Sequence, residues 1–250
     1  NVRFYTFDNN WPETEALLSA ELDKAAFTPC GPLIERSSGW ISIDGTADGS
    51  LARRVNGADL IRLRSQSRVL PAAAINEALE SRIADFRARM QEEPGRREKR
   101  RLKAETRDEL LTKALLKSDK IWGYVDPTIK IITVDVAQPA AAERFLRYLR
   151  MPFGELEIRP LKFKQPLEQL LTRIFLGDAP ERFALGRECR MQDSVDTGST
   201  VRWADFDLAD KTIRSHVADG MRLTHLGIQY DNMLSCVLDE NGVLGKIRFT

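Results

Sequence analysis

A chain of 250 residues, 42% apolar and 30% charged, can build a real core, which excludes a disordered tail or a low-complexity scaffold. Its 38 basic and 37 acidic side chains leave a formal charge of +1, so no global excess of cations draws it to a polyanion. No apolar run approaches the roughly 20 residues that span a bilayer, and three scattered cysteines with two histidines suit neither a disulfide framework nor a zinc site.

The chain opens at Asn1 without a methionine and shows no signal-peptide pattern. The expectation is a protein of the reducing cytoplasm, lacking a short N-terminal piece, with no cofactor and no metal. Val2-Arg3-Phe4-Tyr5-Thr6-Phe7 has strand composition. Trp11-Pro12-Glu13 leads into a helix over residues 14–26, where Leu17, Leu18, Leu22 and Ala25 recur at helical spacing. Gly39-Trp40-Ile41-Ser42-Ile43 predicts a short strand, and Asp44-Gly45 and Asp48-Gly49 mark the loop after it. Residues 59–64 predict another strand.

Pro71 sets up a long helix, with Ile75, Leu79, Ile83, Phe86 and Met90 as one apolar stripe. Glu93-Pro94-Gly95 stops it, and a helical pattern resumes to about Lys117, so the two helices read as a hairpin with Pro94-Gly95 at its tip. From Trp122 the pattern turns to β, over residues 123–126 and 130–136. A helix over 139–150, a strand over 156–161 and a helix over 166–176 follow. The acid-rich stretch 178–210 has no clear element, apart from the start of a capped helix over 207–217. Three strands over 221–230, 233–238 and 243–249 close the chain, the last two joined through Asn241-Gly242. The fold class is α+β: a mixed α/β body with an inserted helical-hairpin arm.

One stretch stands out against the balanced charge. Arg96-Arg97-Glu98-Lys99-Arg100-Arg101-Leu102-Lys103 places six cations in eight residues. On a helix, Arg96, Arg100, Lys103 and Arg107 share one face, spaced to track a phosphate backbone. The plain alternative is a solvated face tempered by Glu92, Glu93, Glu98 and Glu105. The same face turns apolar at Leu110, Leu111 and Ala114, which implies two different neighbours along one helix. His216, His225 and Cys236 read as structural residues, and the Asp239-x-Asn241-Gly242 run as a turn and not a calcium loop. Asp126, Lys130 and Asp135 are candidates for a metal-dependent nuclease core. Asp126 precedes Pro127, which favours a turn, and no Glu-x-Lys follows, so no catalytic residue is assigned.

Several segments in order resemble the RdgC family of recombination-associated, nucleoid-associated bacterial proteins. They are Ala26-Phe27-Thr28-Pro29-Cys30-Gly31 with Gly39-Trp40, then Val69-Leu70-Pro71 with Ile75, Ala78, Leu79 and Glu80. Leu102-Lys103 with Glu109-Leu110-Leu111 and Val134-Asp135 with Ala141-Ala142-Glu143 continue the match. Its densest part runs through Asp207-Leu208, Ile213, His216-Val217, Gly220, Thr224, Leu226 and the final hairpin to Phe249.

The resemblance implies a non-enzymatic protein that binds duplex DNA without sequence preference and restrains RecA-type recombination. It implies a horseshoe-like subunit that pairs as a homodimer into a ring, and a sequence that runs on beyond Thr250. On that template residues 1–70 and 121–162 form a central α/β region, 71–120 the helical tip arm, and 163–250 the base region. Lys113 and Leu115 match a dimer gate in type, Leu115 standing where an aromatic is usual. The DNA-binding candidates are Arg96, Arg97, Lys99, Arg100, Arg101, Lys103, Arg107, Lys113 and Arg202. Where the family often carries a basic pair or a basic–glutamine pair, this chain reads Trp203-Ala204-Asp205-Phe206; an acid facing phosphate would repel it, so either DNA affinity rests more on the tip or the local geometry differs. The alternatives are a protein-interaction module that docks the basic arm on an acidic partner, and a metal-dependent nuclease.

Overall fold

The computed structural model describes residues 1–8, 10–46 and 49–250, so Asp48 of the expected Asp48-Gly49 turn lies outside the described residues. The chain is mixed α/β and divides into two compact units: Asn1–Trp11, Arg54–Asp59 and Gly123–Thr250 form one, Pro12–Arg53 and Leu60–Trp122 the other.

In the second unit, α1 (Glu15–Asp23) is capped by Thr14, whose hydroxyl oxygen accepts from the Leu17 N–H at 3.2 Å. Leu18 and Leu22 are fully buried while Leu17 is exposed, so α1 buries a narrower face than the apolar spacing suggested. Strand β2 (Arg36–Trp40) starts earlier than expected and pairs antiparallel with a strand that is much longer than residues 59–64. The sequence pattern fades there because Ser65 takes an inward position with its hydroxyl 2.8 Å from that of Ser38, so a polar residue continues the apolar side. A short strand that the sequence did not suggest, β3 (Ala52–Val55), turns through Asn56-Gly57, both at positive φ, into this long strand, β4 (Ala58–Val69).

Helices α2 (Ala72–Met90) and α3 (Arg96–Lys113) form the expected hairpin connection. Gln91 ends α2 in the left-handed region at φ 54°, and the Gly95 carbonyl accepts the first bond of α3 from Lys99. The apolar stripe of α2 is only half covered: no α2 residue is fully buried and Met90 is exposed, whereas α3 buries Leu102, Thr106 and Leu111. Arg82 of α2 reaches Glu105 and Glu109 of α3.

Helix α3 stops at Lys113, not near Lys117. Ala114 is extended at ψ 141°, and β5 (Leu115–Asp126) begins at once, well before Trp122. Arg68 fixes this end by donating from Nη1 to the Leu111 and Ala114 carbonyls at 3.1 and 3.3 Å, a cation placed on the last carbonyls of a helix.

In the first unit the C-terminal half of β5 pairs with β6 (Ile131–Val134), which pairs with β1 (Arg3–Phe7), which pairs with β7 (Ile158–Pro160), all antiparallel. Helix α4 (Pro139–Phe153) buries Ala142, Phe145, Leu146 and Leu149, as its spacing predicted. Asp59 is wholly buried; both its oxygens accept from Arg54, at 2.8 and 2.7 Å, and Trp11 donates its indole N–H at 2.7 Å. That leaves a buried carboxylate fully paired.

The same unit holds a five-stranded antiparallel sheet. Its strands are β8 (Phe183–Asp193), β9 (Thr200–Ala204), β10 (Met221–Tyr230), β11 (Leu234–Asp239) and β12 (Leu244–Phe249), in the order β12-β11-β10-β8-β9. One face packs into a core with α5 (Leu167–Leu176) and α6 (Lys211–Ala218), centred on Leu171, Ile174, Phe175, Met191, Leu223 and Leu226. The β8–β9 hairpin is the element missed in residues 178–210. Its acids serve the turns: Asp193 accepts from the Val195 and Asp196 N–H groups at 2.8 Å each, and Asp210 caps α6 through Thr212 at 2.7 Å. These backbone donors hold both carboxyls below the usual range.

Candidate nucleic-acid interface

The sequence singles out nine residues as DNA contacts, and eight of them lie on or at the end of α3. Strong helix formers carry this helix, and its N-terminal half is polar on nearly every side, with Leu102 and Thr106 turned inward. The eight cations fall into two groups. Arg101 pairs with Glu98 and, at 3.7 Å, Glu105; Lys99 lies 3.9 Å from Glu93; Arg107 pairs with Glu35; Lys113 pairs with Glu109 at 2.9 Å. Among the described residues Arg96, Arg97, Arg100 and Lys103 have no ion-pair partner, and all four are exposed. Lys113, with Arg82 beyond it, holds the Glu109 carboxyl below its ordinary value. The expected face of Arg96, Arg100, Lys103 and Arg107 is therefore three unpaired cations followed by a paired one.

At the other end of α3 the chemistry changes as the sequence suggested. Leu110 is half-buried, Leu111 buried, and beyond the helix Leu115 and Leu116 are 79% and 47% exposed. Lys113 is the last helical residue and Leu115 the first of β5, so the two gate candidates stand on different elements.

Arg202, the ninth candidate, lies on β9 in the other unit, on the sheet face opposite the helices. Register places Arg190 directly across from it, with His225 across from Arg190 on the next strand. Lys246 and Arg248 of β12 share this face; Lys246 binds Glu188 at 2.8 Å, and Glu188 also lies 3.8 Å from Arg202. Among the described residues Arg190 and Arg248 have no ion pair. Two arginines opposed on an exposed sheet oppose pairing and do nothing for the core. Sequence reasoning missed Arg190, Lys246 and Arg248. The period-two spacing of Lys246 and Arg248 is the signal that could have found them.

Asp205 does not stand as a bare acid. It sits at φ 59° just after β9 and accepts from Arg187 Nε at 2.7 Å, which raises the Arg187 pKa. A guanidinium thus stands beside the acid at this position.

The nuclease candidates are held apart in separate local roles. Asp126 accepts from the Thr128 and Ile129 N–H groups, Asp135 is exposed just after β6, and Lys130 donates to the Asp8 carbonyl at 2.8 Å. Asp239 likewise accepts from Asn241 and Val243 N–H groups within its hairpin turn. Among the described residues no group of three His, Cys, Asp or Glu side chains could hold a metal ion, and no helix is long and apolar enough to cross a membrane.

The chain is mixed α/β, with exposed cations on α3 and on one face of the five-stranded sheet. The family model described as "Putative exonuclease, RdgC" matches residues 1–250, and the chain belongs to the RdgC family. It is similar to the "Recombination-associated protein RdgC" of Edwardsiella ictaluri, 27% identical over 251 residues that cover 100% of this chain and 83% of that protein. It is also similar to the proteins of that name from Shewanella oneidensis, 28% identical with 100% and 83% covered, and from Halorhodospira halophila, 30% identical with 95% and 78% covered.

Proposed function

We propose that this chain binds duplex DNA without sequence preference and, as a homodimer closed around the duplex, restrains recombinase action on it without catalysing a reaction. The observation that carries this reading is the set of exposed, acid-free cations Arg96, Arg97, Arg100 and Lys103 in a chain whose net charge is only +1. Cations kept clear of carboxylates on one helix suit phosphate neutralisation, which gives affinity without base readout. Arg190, Arg202 and Arg248 extend the same chemistry to the sheet face of the other unit. The names of the relatives support a role in recombination. Closure would use the exposed Leu115 and Leu116 beside Lys113, where apolar surface needs a protein neighbour. The setting is the nucleoid, in the cytoplasm.

Retention on circular and linear duplexes of equal length, challenged with salt, tests this. A closed dimer stays on the circle and slides off the linear fragment; equal loss from both refutes encirclement. If four cations per subunit engage phosphates, the slope of log affinity against log salt is about −7 for a dimer. A shallow slope refutes the phosphate mechanism, and cleavage of the duplex in magnesium or manganese refutes the non-enzymatic reading.

A further inference from the structure

The second unit contains a cleft of about 1040 Å³ lined by residues of β4, β5 and α1 and by Ile41, Ser42, Gly45, Thr46 and residues 49–51. Three cations line it: Arg62, Arg64 and Lys120. Arg62 and Arg64 alternate onto the same face of β4, and each lies over an aromatic ring. The Arg62 guanidinium lies 4.7 Å from the Trp122 ring centre, and that of Arg64 lies 4.6 Å from Phe27. These cation–π contacts hold both side chains in place before any ligand arrives.

Their donors are largely unspent. Arg62 gives one N–H to the Ser42 carbonyl, and Arg64 gives one to the Ser118 hydroxyl at 3.2 Å. Among the described residues the Nε of each is buried and has no acceptor, so the donors open to a ligand are those on the remaining Nη atoms. Among the described residues no carboxylate lies within ion-pair distance of Arg62, Arg64 or Lys120, and Asp23 is the acid in the lining. On α3, by contrast, half of the cations have a glutamate partner. A concave site with three cations that have no ion pair among the described residues, and with spare guanidinium donors, asks for a ligand that brings several oxygens and more than one negative charge. A monocarboxylate brings too little charge, and the volume suits a nucleotide-sized group.

We infer that this cleft is a phosphate-binding site that takes the phosphate of a nucleotide, either free or within a DNA strand. The site is separate from the α3 stripe and does not depend on the reading given for it.

The whole chain is titrated with inorganic pyrophosphate, with thymidine monophosphate and with a short single-stranded oligonucleotide, following heat and tryptophan emission. Saturable binding of the small phosphates assigns the site to free nucleotides; binding of the oligonucleotide alone assigns it to a strand where Lys120→Glu weakens it and reversal of Arg96, Arg97 and Arg100 does not; either supports the inference. Arg64→Gln and Lys120→Glu each weaken that binding at least about tenfold, the loss expected for one charge-assisted contact. Lys120 is exposed, so its variant folds even where Arg64→Gln is compromised. Reversing Arg96, Arg97 and Arg100 leaves pyrophosphate binding unchanged, which separates this site from the duplex reading. No saturable binding of any of the three probes, or binding unaltered by Lys120→Glu, overturns the inference.

Discussion

Gly123 and Gly39 are glycines because something else occupies the space of their side chains. A Cβ on Gly123 would lie 2.1 Å from Cζ of Phe145, a fully buried ring, and one on Gly39 would lie 2.5 Å from the Phe27 backbone. Gly123→Ala is expected to cost about 1–3 kcal/mol by overpacking. Thermal unfolding checks this, and adding Phe145→Leu should recover part of the loss, because the clash is with the ring alone. The cysteines illustrate the same confinement. Burial pushes Cys189 up to about 11 and raises Cys236, while Cys30 donates its thiol to the Gln66 carbonyl at 3.3 Å. All three are buried, so a thiol reagent should modify them slowly in the native protein and fully after denaturation. Rapid native labelling of any one would contradict that picture.

Helix α3 separates two kinds of cation, and substitution should expose the difference. Neutralising Arg96, Arg97, Arg100 and Lys103 is expected to weaken duplex binding and to flatten its salt slope by about 0.9 for each phosphate that is no longer neutralised. Neutralising Arg101, Arg107 and Lys113 should do less, since each must first leave a carboxylate of Glu98, Glu35 or Glu109. Filter retention across a salt series distinguishes the two sets. The run itself is plain in the sequence, as is the Pro94-Gly95 connection, because both depend on neighbours in the chain. The pairs Arg101–Glu98, Arg101–Glu105 and Lys113–Glu109 are local too, at three- and four-residue spacing, but the partner of Arg107 is hidden. Glu35 lies far from Arg107 along the chain, and no local spacing announces it. The same limit explains β8 and β9, whose acids look like loop composition when they are turn and cap residues. It explains β5 as well, where Lys117, Asp119 and Lys120 give no apolar pattern although hydrogen bonding makes them strand. The cleft cations are invisible for a third reason: Arg62 and Arg64 gain meaning only from Phe27 and Trp122, placed beside them by tertiary folding.

Carboxylates with depressed pKa values are distributed over both units. Glu109 is held down by Lys113, Asp178 by Arg173, Asp231 by Arg182, and Asp193 and Asp210 by backbone donors. Each has a folded value below its unfolded one, so the stability it contributes is complete above the unfolded value and disappears as pH falls through the folded one. With ordinary values of 3.8 for Asp and 4.5 for Glu, the melting temperature should hold near neutrality and drop steadily once pH passes below about 4.5. Asp210→Asn should make that decline shallower, and an unchanged profile would remove the α6 cap from the account. The order of the chain adds a constraint on biogenesis. Unit two is complete once Trp122 has been made, whereas β1, near the first residue, pairs with Thr133 and Arg159. On the ribosome Phe4, Tyr5 and Phe7 must therefore wait, as an unpaired strand, while an entire helical hairpin is translated. Nascent chains stalled soon after Trp122 should accordingly be caught by chaperones through their amino-terminal segment, and released once β7 has emerged.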